Sequence, residues 1–324
     1  KNTIVGYLAA YNQNGGTGST TALGYQSLLS VTTGNANTSV GASALESVTT
    51  ASNSTAIGFG ALGANTASSG TAIGYRALAA NITGSFNTAL GYNSGSAQAG
   101  ASDDDNTWIG CQAGRYANGS ASARNTGVGA VSLDALSTGS WNTSVGYSSA
   151  GGMTTANGVT AIGYSALVTN TASNNTAIGA FCADANSSAT HLTAIGYSAG
   201  SSQAGATDEH NTWIGTNAGI SANGSASGRN TGVGSLALDA VTTGFFNTGT
   251  GFNTLNALTT GINNTAMGAV AGKIITTGSN NTFLGYDTSA SSTGAASQIV
   301  IGTALVGTAD TRVHIGNGTS HIYA

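Results

Sequence analysis

The chain has 324 residues, of which only 18 carry a charge (seven Lys and Arg, eleven Asp and Glu), and its formal net charge is −4. With so few basic residues the sequence has no cationic stripe that could follow a phosphate backbone, which argues against nucleic-acid binding. It also has no apolar run of about 18 residues, so we expect no membrane insertion in this segment. Proline is absent and 50 residues are glycine, a composition that indicates repetitive structure.

A short motif recurs from the first residues to the last. It reads NTIVGY at residue 2, TTALGY at 20 and NTSVGA at 37, and its nineteen copies are spaced mostly by 17 residues. A unit of this length is too short for a helical hairpin, and it contains no apolar stripe of 3.6-residue period. The glycine that closes each motif is predicted to be structural, and examples are Gly24, Gly58, Gly110, Gly163, Gly215 and Gly268.

Each motif predicts a short strand. The residue directly before the glycine is apolar in 18 of 19 copies, threonine stands two residues earlier in 17, and the residue between them is usually small. This alternation is typical of a strand with two different faces. We expect coils of two short strands and two turns, stacked in parallel register with the apolar column buried. The predicted fold class is all-β, a parallel β-solenoid of about nineteen coils of 16–19 residues.

The motifs also repeat with a second, longer period of 105 residues. Gly24, Gly129 and Gly234 are each 105 residues apart, and the spacings between motifs repeat in the same order after Gly24 and Gly129. We therefore predict a single continuous solenoid over 1–303, made of super-repeats 20–124, 125–229 and 230–303. The spacing then shortens, which predicts that 304–324 is a terminal coil leading into a further C-terminal region.

The strings GTAIGYRAL at 70 and VTAIGYSAL at 159 resemble the head repeats of YadA-like trimeric autotransporter adhesins and related repeats of phage tail fibres. The resemblance covers nearly the whole chain and implies a left-handed β-roll, three chains side by side and a role in attachment. These coils are longer than typical adhesin-head coils, and no coiled-coil stalk or membrane-anchor barrel is present. The sequence after residue 296 looks more like the fibre segments that precede a phage-fibre tip.

The charged residues concentrate in the coils enlarged to 19 residues. The two clusters lie 105 residues apart and consist of Asp103, Asp104 and Asp105 and of Asp208, Glu209 and His210. One coil later Arg124 and Arg229 hold the positions of Asp105 and His210, so we predict ion-pair rungs on the solvent side, to which Glu209 also contributes.

The alternative for these clusters is a loop site for calcium or magnesium at Asp103, Asp104 and Asp208, because hard cations prefer several oxygen ligands. A catalytic role is not expected, since paired carboxylates need a cleft that shifts their pKa values. We predict no enzyme activity and no cofactor apart from this candidate calcium.

Trp108 and Trp213 interrupt the column of small residues. Their neighbours one coil away include Ala89 and Gly127, so we predict that the indoles are packing plugs. An exposed platform for sugar stacking is the alternative. Cys111 and Cys182 stand in different columns, and we expect both to be unpaired and buried.

The sequence therefore predicts a non-enzymatic extracellular fibre, a homotrimer that binds a host-cell receptor or glycan. A phage tail-fibre shaft on a virion is the first hypothesis and a bacterial surface adhesin head the second. A glycan-binding solenoid and an ice-binding solenoid remain as alternatives. Ice binding is disfavoured here because the threonines share a strand face with the apolar column, which we expect to point inward.

Overall fold

A computed structural model describes residues 1–14, 18–98, 104–117, 122–202, 210–222 and 228–323. These ranges form an all-β parallel β-solenoid of about 17 to 19 coils and contain no helix. The chain divides into two compact units, Lys1–Val159 and Thr160–Ala324.

The first unit contains nine short strands, one from each motif. Neighbouring strands pair in parallel with motif residues in register, so that Thr55 lies opposite Thr71 and Ile57 opposite Ile73. The strands are β1 (Thr3–Val5), β2 (Thr21–Leu23), β3 (Thr38–Val40), β4 (Thr55–Ile57), β5 (Thr71–Ile73), β6 (Thr88–Leu90), β7 (Thr107–Ile109), β8 (Thr126–Val128) and β9 (Thr143–Val145).

The second unit continues the same pattern through ten parallel strands and ends in a hairpin. Its last strand pairs antiparallel with the strand before it, with His314 opposite Tyr323. The strands are β10 (Thr160–Ile162), β11 (Thr176–Ile178), β12 (Thr193–Ile195), β13 (Thr212–Ile214), β14 (Thr231–Val233), β15 (Thr248–Thr250), β16 (Thr265–Met267), β17 (Thr282–Leu284), β18 (Ile299–Thr303), β19 (Val313–Asn317) and β20 (Ser320–Tyr323).

Each coil contributes one strand to the sheet, so the prediction of two strands per coil is wrong. After the motif glycine the backbone alternates into left-handed conformations, as at Gln26 (φ 54°) and Leu28 (φ 52°). It still hydrogen-bonds between coils, since Gln26 N–H donates to the Tyr7 carbonyl at 3.0 Å and Leu28 N–H to the Ala44 carbonyl at 3.0 Å. The second wall of the coil is thus a ladder of turns, which satisfies backbone groups without extended geometry.

The two faces of the strand are reversed relative to the prediction. The middle residue of the motif is buried, as at Ala56 and Ala72, while the apolar residue before the glycine faces outward, with Ile57 39 % exposed. Leucines from the opposite wall, such as Leu62 and Leu78, fill the interior. Because they occupy that space, most coils have room for only a small residue in the middle of the strand.

The motif glycines lie where the strand turns into the second wall. The six predicted structural glycines have φ between 128° and 138°, a region that favours glycine. A side chain at these positions would also point into the next coil, where the corresponding glycine backbone lies.

Asparagine opens twelve of the nineteen motifs, and where it recurs in consecutive coils it forms a buried ladder. Asn125 Nδ2 donates to the Gly139 carbonyl at 2.9 Å, and Asn125 Oδ1 accepts from the Asn142 backbone N–H at 3.0 Å. In the second unit Asn247 and Asn264 use the same contacts. Each side chain therefore closes a turn and binds the next coil.

Asn125→Ala is expected to lower the free energy of unfolding by about 1–3 kcal/mol, because it leaves buried backbone groups without partners. Urea unfolding measures the change. Asn256→Ala is the matched control, since the half-buried Asn256 makes no side-chain hydrogen bond in the described chain. Equal effects of the two substitutions would contradict the ladder interpretation.

Candidate functional site

The outward face of the sheet in each unit presents two parallel columns. One is threonine in most coils and mostly half-buried. The other is apolar in all but one coil; eleven of its nineteen residues are exposed and the rest half-buried, with Leu23 at 47 % and Met267 at 53 %. Among the described residues, none of the strand threonines makes a side-chain hydrogen bond. The face therefore offers unpaired hydroxyls beside an apolar row, a surface suited to contact another molecule.

A third column, directly after the motif glycines, is aromatic in ten of the nineteen motifs. The rings of Phe59, Tyr75 and Tyr92 stack with centroid separations of 5.5 and 5.3 Å and interplanar angles of 12° and 11°. Tyr7 stacks on Tyr25 in the same way. Because stacked rings cover one another, these stacked rings present mainly their edges to an incoming ligand.

The residue before the motif asparagine forms a lateral column, which we call the turn column. In the first unit it includes Phe86, Asp105, Arg124 and Trp141, all with φ between 58° and 59°. Asp105 N–H donates to the Ser85 carbonyl, Arg124 N–H to the Asp104 carbonyl and Trp141 N–H to the Ala123 carbonyl. These bonds keep the column in register and hold its side chains outside the coil.

The turn column brings the predicted pair Asp105 and Arg124 together. Arg124 Nε lies 3.8 Å from Asp105 Oδ2, and the two side chains are 58 % and 50 % exposed. Asp104 Oδ1 instead accepts a hydrogen bond from the Ser85 backbone N–H at 2.6 Å. The exposed contact between Arg124 and Asp105 contributes under about 1 kcal/mol to stability.

The cation hypothesis stays a prediction. Within the described part of the chain no group of three or more His, Cys, Asp or Glu side chains could hold a metal ion. Asp103 and Asp208, on which the hypothesis depends, lie outside the described residues.

In the second unit the turn column contains ring contacts. The rings of His191 and His210 stack at 4.7 Å with an interplanar angle of 2°. The guanidinium of Arg229 lies 5.5 Å from the centre of the Phe246 ring. Glu209, predicted to complete this rung, lies outside the described residues.

Two closer ion pairs were not predicted. Arg115 and Asp134 are 2.8 Å apart, and Lys273 and Asp287 are 2.6 Å apart. Arg115 and Asp134 both stand five residues after a motif glycine, in consecutive coils, so the column spacing could have revealed them. Burial raises the pKa of Asp134, and the Arg115 guanidinium opposes that rise.

One period of 105 residues later, the acid of this pair recurs but the arginine does not. Asp239 corresponds to Asp134, whereas Ile220 replaces Arg115. Asp239 Oδ1 is buried without a hydrogen-bond partner, and burial raises the pKa of this carboxyl despite opposing backbone hydrogen bonds at Asp239 and Ala240.

Asp239→Asn is expected to raise the midpoint of urea unfolding at pH 7. A pKa raised in the folded state means that ionisation destabilises the fold above that pKa, and that this penalty disappears below the ordinary carboxyl pKa of about 3.9. The gain should therefore shrink between pH 7 and pH 3. Asp287→Asn, which removes the partner of Lys273, should give no gain; a gain of Asp239→Asn that is independent of pH would contradict the assignment.

The three tryptophans divide into two kinds. Trp108 and Trp213 are fully buried inside their own coils, so they offer no platform for sugar stacking. Trp108 Nε1 donates to Gln98 Oε1 at 2.9 Å, and the 105-residue period places Gln203, outside the described residues, at the corresponding position for Trp213. Trp141, which the sequence did not single out, is 61 % exposed.

The cysteines also differ from each other. Both are unpaired; Cys182 is buried as predicted, but Cys111 is exposed, so that part of the prediction is wrong. Cys111 follows a motif glycine and therefore stands in the outward aromatic column. Burial raises the pKa of the Cys182 thiol to about 12, which keeps it protonated and unreactive at neutral pH.

No family model matches the chain, and no curated protein matches it significantly. In the described part of the chain, no helix has the length and apolar character needed to span a membrane.

Proposed function

We propose that the chain is a segment of a non-enzymatic attachment fibre on the outside of a virion or cell, built as a homotrimer of side-by-side, left-handed solenoids. The observation that carries the proposal is the outward apolar column, which recurs on strand after strand of both units. Its motif resembles those of trimeric adhesin heads and phage fibres.

The outward column favours self-association. A single chain leaves Leu23, Ile57, Leu90 and their equivalents partly in water, and a contiguous apolar surface of this extent usually marks an interaction site. Identical columns on three copies can cover one another around a common axis, because cyclic symmetry closes the assembly. None of the described strand residues is Asp, Glu, Lys or Arg, so no electrostatic repulsion between strands opposes this contact.

A fibre role follows from the repetition. Coils of one design stacked in register hold lateral surfaces at fixed spacing, and three copies multiply weak contacts by avidity. A phage tail-fibre shaft is the first form of the proposal and a bacterial surface adhesin head the second. A membrane-anchor barrel in the full coding sequence would favour the adhesin, and a virion-attachment domain would favour the phage fibre.

The test is the mass in solution, followed by disruption of the outward column. We expect the wild-type chain to have three times its monomer mass of 31.3 kDa. Ile57→Glu combined with Ile73→Glu should convert the trimer to monomers of unchanged circular dichroism, because six carboxylates would otherwise meet in one apolar contact. Ser69→Glu, in the turn column between these coils, should leave the trimer intact. A monomeric wild-type chain would refute the assembly.

The orientation of the threonines favours a second candidate, ice binding. The sequence disfavours ice binding because the threonines are expected to point inward. In the structure they lie on the outer face, with unpaired hydroxyls at the strand spacing of about 4.8 Å. A trimer that covers this face would exclude the activity. Thermal hysteresis by a monomeric chain supports ice binding, and its absence removes the candidate.

A further inference from the structure

Trp141 is 61 % exposed on the side of the first unit. Its neighbours in the turn column are Arg124 one coil before and Gly158 one coil after, where the Gly158 N–H donates to the Ser140 carbonyl at 3.1 Å. Since Gly158 has no side chain, the turn column leaves the indole uncovered on that side. This differs from Phe59, Tyr75 and Tyr92, whose rings stack on one another.

The polar groups beside this indole have unused hydrogen-bonding capacity. The 3.8 Å contact between Arg124 and Asp105 is too long for a hydrogen bond, and neither side chain makes another within the described chain. The half-exposed guanidinium therefore keeps its five donors, and the carboxylate keeps its acceptors. Both point outward from adjacent coils at the same edge as Trp141.

We propose that Trp141, Arg124 and Asp105 form a lateral binding site for a neutral pyranose of a surface polysaccharide. A pyranose has an apolar C–H face that can stack on the indole and vicinal hydroxyls that both donate and accept. Asp105 would accept from two hydroxyls, and Arg124 would donate to hydroxyl and ring oxygens. The inference rests on the proposed attachment function, for which it names the ligand class.

The surrounding charge favours a neutral sugar. Asp104 and Asp105 lie beside a single cation, Arg124, so the described part of the site is net negative at pH 7. A carboxylated or sulfated sugar would meet like charge there. Two coil steps, about 10 Å by the strand spacing, separate Asp105 from Trp141, a span suited to a disaccharide.

The corresponding position in the second unit provides an internal comparison. Phe246 replaces Trp141, and His210 replaces the acceptor Asp105. The Arg229 guanidinium lies over the Phe246 ring, which leaves less of the ring face available. We therefore assign the site to the first unit alone.

The experiment measures binding of the full chain, in its native assembly, to arrayed neutral oligosaccharides of glucose, galactose, mannose and N-acetylglucosamine. Sialylated and heparin-type glycans form the anionic arm. The variants are Trp141→Asn, Asp105→Asn and Arg124→Asn, because asparagine already occupies the turn column with positive φ at Asn53 and Asn174. Phe246→Asn is the matched control in the second unit.

We expect a neutral glycan to bind the wild type, and Trp141→Asn to weaken binding by about tenfold or more, as for a central aromatic anchor. Asp105→Asn and Arg124→Asn should each weaken it severalfold, and Phe246→Asn should have no effect. The bound glycan should also protect Trp141 from oxidation by N-bromosuccinimide, with buried Trp108 and Trp213 as internal references.

Binding confined to the anionic arm, or binding that survives Trp141→Asn, would overturn the inference. A trimeric wild type that binds no neutral glycan would overturn it while leaving the proposed fibre intact. A monomer that binds through Trp141 would instead refute the trimer and support the site, so the two failures are distinguishable.

Discussion

Gly163→Ala is expected to destabilise the second unit strongly, although it adds only one methyl group. Gly163 has φ +137°, and an added Cβ would lie 2.4 Å from the Gly179 carbonyl oxygen and 2.6 Å from its carbon. These are backbone atoms one coil away, held in place by the hydrogen bond from Gly179 N–H to the Ile162 carbonyl at 2.7 Å. Relief of the clash therefore requires that the ladder open.

The combination of unfavourable φ and backbone overlap should lower the free energy of unfolding by about 3 kcal/mol or more. Urea unfolding gives the overall effect, and hydrogen exchange should show the loss of protection concentrated in the coils of Gly163 and Gly179, because repeats contact mainly their neighbours. Gly294→Ala is the control, since its Cβ would meet only Thr277 Oγ1 at 3.6 Å. A destabilisation by Gly163→Ala no larger than that of the control would refute the role of the motif glycine.

The period of the sequence predicted the coils and their parallel register. Threonine at the same distance before the glycine in nearly every copy determines which residues stack, and the structure pairs Thr176 with Thr193 and Ile178 with Ile195 accordingly. The register can be predicted without information about the interior, because it requires only that the same residue type recur at one position in each coil.

The same pattern does not show which face of each strand is buried. Both faces of a motif such as TAIG include apolar residues, so a period of two does not distinguish the buried face from the outer one. The deciding residues are the leucines of the opposite wall, such as Leu78 and Leu167, whose left-handed backbone conformation is not evident from sequence.

The candidate binding site was hidden for a related reason. Trp141 stands in a column that otherwise contains Asn, Ser and Gly at many coils, so its position marks it as a turn residue and not as a ligand contact. What distinguishes it is the exposure of the indole and the absence of a side chain at Gly158 beside it. The charge clusters drew attention to Asp105 and Arg124, but not to the ring one coil further on.

Trp108→Ala is expected to lower the free energy of unfolding by about 3–5 kcal/mol, the usual range for loss of a buried tryptophan. The indole is fully buried, and its Nε1 donates to Gln98, which is itself fully buried. The substitution therefore leaves a cavity and removes a buried hydrogen bond to the Gln98 amide oxygen. Urea unfolding measures the loss, and Trp213 in the other unit remains as a fluorescent reporter.

The structure also indicates how to recover part of that stability. In the coil of Trp108, the position four residues after the motif glycine is Gly114. In coils whose strand has a small middle residue, the same position is leucine, as at Leu78 and Leu133. A Cβ at Gly114 would lie 2.3 Å from Trp108 Cδ2, so leucine cannot coexist with the indole. Leucine can adopt the backbone there, because Gly114 has φ 58° and Leu133 has φ 50°.

A double-mutant cycle tests this exchange of volume. Gly114→Leu alone should be destabilising through overlap with the indole, and Trp108→Ala alone through the cavity. Together they should be more stable than either single variant, a coupling of more than about 1 kcal/mol between residues in contact. If the two losses simply add, leucine at position 114 does not fill the volume that Trp108 leaves. The space beside Gly114 would then not be what determines the packing of the Trp108 indole.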